Sequence, residues 1–207
     1  MIWLAAALFA LGQADALECG RRRDQAELQP CAFVRDEQAD ILDAAGRPPA
    51  EALGPEAIRF SSRPQLGGRA AVAEIVRLPS GAAEVRLSTL SGHWRTGWDM
   101  QATQRFALTA VEYRRLAAQV DEALAAYRPP VPNADNGEAI VCTDGPGFLT
   151  ERVRAGHIVT LTGQCPPTLN ERHPNDTIAA SIDALLCRKI GRALRTGPFN
   201  QRRCRRR

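Results

Sequence analysis

Glu151 and His157 are the two residues whose types and spacing offer chemistry in this 207-residue chain. A carboxylate and an imidazole held together can pass a proton between them, the minimum that general acid–base work requires. Five residues lie between them, and they flank the turn Arg154-Ala155-Gly156. A two-residue Ala-Gly turn needs positive φ at Ala155, which an L side chain disfavours. A three-residue type I turn ending in a left-handed Gly156 with a bulge suits the residues better. That turn sets Val153 against His157, Glu151 against Val159 and Leu149 against Leu161, and collects Thr150, Arg152, Arg154, Thr160 and Thr162 on the opposite face. Glu151 then lies on an apolar face, with His157 a diagonal step of about 7–8 Å away. A carboxylate there must be paired or protonated. The alternative to a catalytic pair is a structural ion pair, or a pair at a wet sheet end.

The elements that position this pair run from Glu138 to Gly191. Three strands are predicted, Ala139–Thr143, Phe148–Arg154 and His157–Gly163, divided by Asp144-Gly145-Pro146-Gly147 and by the Gly156 turn. A helix follows from about Asn175 to Ile190, beginning near Pro174 and stopping at Gly191. It gathers Ile178, Ile182, Leu185, Leu186 and Lys189 in one arc and leaves Cys187 away from its centre, free to reach the arm or the tail.

Upstream, Val72–Leu78 and Ala83–Leu90 read as strands, the second alternating Val85, Leu87 and Thr89 with Glu84, Arg86 and Ser88. Ser91 to Gln104 reads as a loop carrying His93, Trp94, Trp98 and Asp99, its tryptophans either a binding lip or the cap of a small core. Thr109-Ala110-Val111-Glu112 is a capping box. From it a helix is predicted to about Tyr127 through Val111, Leu116, Val120 and Leu124, ended by Pro129 and Pro130. The expected fold is α+β: an antiparallel sheet of about five strands with two helices packed on one face.

At the N-terminus, Ile2–Leu11 is an uncharged apolar run followed by Ala14-Asp15-Ala16, the small-x-small pattern of an export signal cleaved after residue 16. The expected organisation is a signal peptide over 1–16, an irregular arm over 17–69 with a weak helix at Phe33–Ala45, an α+β domain over 70–195, and a basic tail over 196–207. The location is then periplasmic or secreted, with no transmembrane anchor. Losing residues 1–16 removes one acid and raises the net charge from +4 to +5.

Cys19, Cys31, Cys142, Cys165, Cys187 and Cys204 all follow the cleavage site. An even count in an exported chain predicts three disulfides with fifteen formal connectivities, and Cys142–Cys165 is the favoured pair. No CxxC occurs, so no metal and no cofactor is expected.

The Leu-Thr-x-x-Glu-Tyr opening at Leu108–Tyr113, the Asp144-Gly145 turn, the strand glutamate Glu151, the Gly156 turn and a following cysteine together resemble uncharacterised exported bacterial α+β proteins. The resemblance spans Leu108–Cys187 and implies no activity.

Three readings of function follow. The first is a non-enzymatic binding or envelope-associated protein engaging an anionic envelope component or another exported protein, supported by Arg21–Arg23 and the arginine tail. The second is a small hydrolase using Glu151 with His157, or His93, Asp99 and His173 brought together. The third is an inhibitor that inserts Gly145–Gly147 or His93–Trp98 into the cleft of an exported enzyme. Aromatic residues make up only 5% of the chain and no nucleic-acid motif occurs, so nucleic acid is not an expected partner.

Overall fold

The computed structural model describes residues 38–64, 67–93, 95–127, 147–163, 173–191 and 204. Its frame is one antiparallel sheet of six strands: β1 (Glu56–Arg63), β2 (Gly68–Arg77), β3 (Ala83–His93), β4 (Gly97–Leu108), β5 (Gly147–Arg154) and β6 (His157–Thr162). Their order across the sheet is β4-β3-β2-β1-β5-β6. The first four strands form a meander. The chain then returns so that β5 pairs with the free side of β1, which makes β1 a central strand.

Helices cover both faces. Residues 38–44 form α1, and a short 3-10 turn follows at Ala50–Leu53; α2 spans Ala110–Ala126 and α3 spans Pro174–Ile190. Helix α2 starts where the sequence places it. Thr109 Oγ1 accepts from the Glu112 backbone N–H, and Glu112 accepts from the Thr109 backbone N–H at 2.8 Å. Helix α3 carries Pro174 at its first turn, where the missing N–H costs nothing, and ends at Gly191 with φ 65°.

The main core lies between the sheet and the α2/α3 pair. Ile58, Phe60, Ile75, Val85 and Phe148 meet Tyr113, Leu116 and Val120 from α2, and Ile178, Ile182 and Leu186 from α3. Val111, expected in the buried stripe, is instead 64% exposed, because Tyr113 and Ala117 turn the stripe inward on its other side.

The second face carries two smaller cores. One joins Ile41 and Ala45 to Ala70, Val72 and Leu90, with Trp98 packed against it; the other joins Ala50 and Leu53 to Ala57 and Val153.

Several expectations are corrected. The sheet has six strands rather than five, and helices pack on both faces rather than one. Residues 56–63, read as part of an irregular arm, form a central strand. Prolines and glycines on either side hide an Ile58/Phe60 alternation whose other face is polar but buried. Most of the Ser91–Gln104 loop is strand in β3 and β4, because the edge strand is exposed on both faces and shows no apolar period. The expected strand Ala139–Thr143 lies outside the described residues, as do residues 1–16, Cys19, Cys31, Cys142, Cys165 and Trp94.

Cys187 bonds Cys204 with a Cα–Cα separation of 5.3 Å, joining α3 to the tail. None of the described helices is long and apolar enough to cross a membrane.

Candidate functional site

The turn between β5 and β6 decides where Glu151 and His157 go. Ala155 adopts φ 51° and Gly156 φ 81°, both positive, which is the two-residue type I′ hairpin rather than the bulged three-residue turn. The register is therefore Arg154 against His157, Arg152 against Val159 and Glu151 against Thr160, one residue from the expected one. A slip of one sends a side chain to the other face. Glu151 points toward the N-terminal segment and His157 toward α2, so the expected pair does not form. The strain at Ala155 is tolerated because the type I′ twist matches the flanking strands, and Ala155 N–H donates to Pro55 O at 2.8 Å.

Glu151 remains between Leu149 and Val153 as expected, but its partner is an arginine on β1. Arg59 is fully buried; its Nη1 donates to Glu151 Oε2 at 2.8 Å and its Nε to Glu74 Oε1 at 3.1 Å. Arg59 Nη2 also donates to Pro48 O, and Arg47 reaches the far oxygen of Glu74 at 3.1 Å. The ladder explains this row, since Arg59 stands directly opposite Glu74 on one side and Glu151 on the other. The charged row separates the two small cores of that face. Burial pushes the Glu151 carboxyl above the usual glutamate range, and Arg59 only partly opposes it.

His157 lies at the mouth of a cavity of about 380 Å³ between α2 and the β5–β6 hairpin, lined also by Asp121, Leu124, Arg152, Arg154, Ala155 and Val159. Arg152, expected on the exposed polar side, is the buried floor of this cavity at 4% exposure. Its Nε donates to Asp121 Oδ1 at 2.8 Å and its Nη2 to Glu56 Oε1 at 3.3 Å. Its Nη1 donates to Val153 O at 2.8 Å and lies 3.4 Å from the Tyr113 hydroxyl. Arg152 is thus spent on structure. The buried Tyr113 hydroxyl is pushed up to about 12, foremost by desolvation, and stays neutral. Arg154 is different: its side chain is 72% exposed and only 3.7 Å from Asp121 at its closest. With His157 it forms a polar rim over an apolar wall of Leu124 and Val159.

The second histidine constellation is also dispersed. His173 caps α3, its Nδ1 accepting from the Asn175 N–H at 3.1 Å, and it packs against Tyr127. Burial lowers it to about 4. Asn175 in turn donates to Gly163 O at 2.9 Å and accepts from the Thr150 hydroxyl, which ties α3 to the far edge of the sheet. His93 ends β3 beside Gly67, and Asp99 lies on β4. Four strand spacings of about 4.8 Å divide β3 from β6, so these three residues cannot form one site.

Sequence reasoning missed Arg59, Glu74, Arg47 and Asp121. The first two were findable only with β1 in hand, because their pairing is a cross-strand relation. Among the described residues no group of His, Cys, Asp and Glu could hold a metal ion. No protein-family model and no curated protein matches the chain, so these sites carry the functional argument by themselves.

Proposed function

We propose that the chain is an exported, disulfide-stabilised, non-enzymatic binding protein of the periplasm or cell exterior, whose ligand seats in the cavity between α2 and the β5–β6 hairpin. The observation that carries this reading is the separation of Glu151 from His157. The carboxylate is spent as a counter-ion of Arg59, while the imidazole stands with Arg154 over a partly apolar cavity. The Arg154 guanidinium and the His157 imidazole above Leu124 and Val159 suit a small organic acid or the carboxylate end of a peptide, with the acid at the rim and an apolar body below.

Support for the disulfide part comes from Cys187–Cys204. The export part rests on the Ala14-Asp15-Ala16 pattern, and N-terminal sequencing of secreted protein should begin at Leu17.

Calorimetric titration of a panel of short aliphatic and aromatic carboxylates tests the cavity. Binding lost in both Arg154→Ala and His157→Ala supports it. Turnover of generic ester, glycoside or phosphate substrates that vanishes in His157→Ala would replace this reading with a hydrolase.

A further inference from the structure

On the face away from α2 and α3, the β3–β4 ladder sets Arg86 directly opposite Arg105. Like charges facing one another across a ladder destabilise it. Only one of the two is neutralised: Arg86 Nε donates to Glu84 Oε1 at 2.6 Å, whereas the Arg105 side chain is exposed and makes no ion pair or hydrogen bond among the described residues. The field of Arg105 reaches Glu84, the carboxylate already committed to Arg86.

The next pair on the same face is Ser88 opposite Thr103, their hydroxyl oxygens 3.3 Å apart. Arg47 enters from the segment after α1 and donates Nη2 to Ser88 Oγ. Its side chain is 8% exposed, and its Nε is buried with no acceptor among the described residues. Desolvation lowers its pKa; Glu74 opposes this, while Arg86, Arg59 and Arg105 press in the same direction as burial, which sets Arg47 within the field of the other three arginines.

The register also slips between Thr89 and Leu90, immediately beside Ser88–Thr103. Bulges of this kind recur next to binding sites, where they re-aim side chains.

We propose that Arg86 and Arg105, with the hydroxyl of Thr103 and with Arg47 behind Ser88, form an oxyanion-binding site that takes a phosphate or sulfate group. A tetrahedral oxyanion bridging the two guanidiniums accepts charge-assisted hydrogen bonds from both, and the planar forks match its oxygens. Glu84 limits the site to one small anionic group rather than a long polyanion. The group is either a free ion or the phosphorylated head of a surface lipid. The site is independent of the β5–β6 cavity, so either can fail without the other.

Inorganic phosphate titrated at constant ionic strength, with sodium chloride as balance, tests the site through the melting temperature and the amide shifts of β3 and β4. Phosphate should raise the melting temperature of the wild-type chain and move those amides. Arg105→Ala, a change at an exposed edge position, should weaken phosphate binding by roughly tenfold or more, the loss of one charge-assisted contact. Arg77→Ala, which removes an exposed β2 arginine paired to Glu56 of β1, should leave binding unchanged. Sedimentation with phosphatidic acid vesicles but not phosphatidylcholine vesicles would assign the group to a lipid head; a response to inorganic phosphate alone would assign a free ion. A wild-type response no larger than that to chloride, or an equal response in Arg105→Ala, overturns the proposal.

Discussion

Replacing Arg59 by Met is the perturbation that best probes how this fold is held together. The guanidinium is fully buried and is the cation that Glu151 contacts directly, at 2.8 Å. Glu74 keeps a second cation, Arg47, at 3.1 Å, so it is left only partly uncompensated. Breaking a buried pair by removing one partner costs about 3–5 kcal/mol, because the other charge stays buried without its counter-ion. The packing lost is small, since Met fills most of the stem's volume. Loss of the donor to Pro48 O adds to the cost.

Stability should therefore fall by about 3–5 kcal/mol at pH 7, read from urea unfolding of the oxidised protein by circular dichroism. The deficit should also depend on pH. In the native protein the Glu151 carboxyl already lies above its ordinary range, and without Arg59 it rises further. An acid whose folded pKa is raised contributes stability below its unfolded value and loses it as pH rises. The deficit of Arg59→Met should accordingly shrink as pH is lowered from 7 toward 4.5, the ordinary glutamate value. Glu151→Gln, which keeps an oxygen acceptor for Arg59 and removes a charge that burial opposes, should cost only about 1 kcal/mol. Arg59→Met with Glu151→Leu should recover much of the loss, since an apolar pair can replace a buried ion pair. A cost below about 1 kcal/mol for Arg59→Met, or a deficit that grows on acidification, would refute the reasoning.

Ala155→Gly should stabilise the protein by about 0.5–1 kcal/mol, because it relieves an L side chain at positive φ in the hairpin; a destabilisation in thermal melts would count against the type I′ turn. Cys204→Ser opens a loop of 17 residues and should cost about 3 kcal/mol in chemical unfolding under oxidising conditions. Thr109→Ala removes the α2 cap and should cost about 1 kcal/mol. His173 titrates near 4, so its neutral form supports the fold above the ordinary value of 6.5 and that support is lost as pH falls toward 4. Its ring-proton shift followed by NMR should have its midpoint near 4, and a midpoint near 6.5 would show that the ring is not buried.

What the residues determined unaided was local. The capping box at Thr109 and Glu112, the stop at Gly191, and the buried arc of Ile178, Ile182, Leu185 and Leu186 depend on neighbours within a helical turn or two, so a linear reading contains them. The alternation of Ala83–Leu90 is of the same kind. Tertiary structure alone decided the rest. Glu56–Arg63 has an apolar face and a buried polar face, and it becomes a strand because β2 and β5 flank it and Arg59 finds Glu74 and Glu151 across the ladder. The hairpin turn reversed the local preference of Ala155, because the twist of two paired strands outweighs about 1–2 kcal/mol of backbone strain. That reversal divided Glu151 from His157 between two faces. A register is a relation between segments, and one residue of it moves a side chain through the sheet, which no property of either segment taken singly can specify.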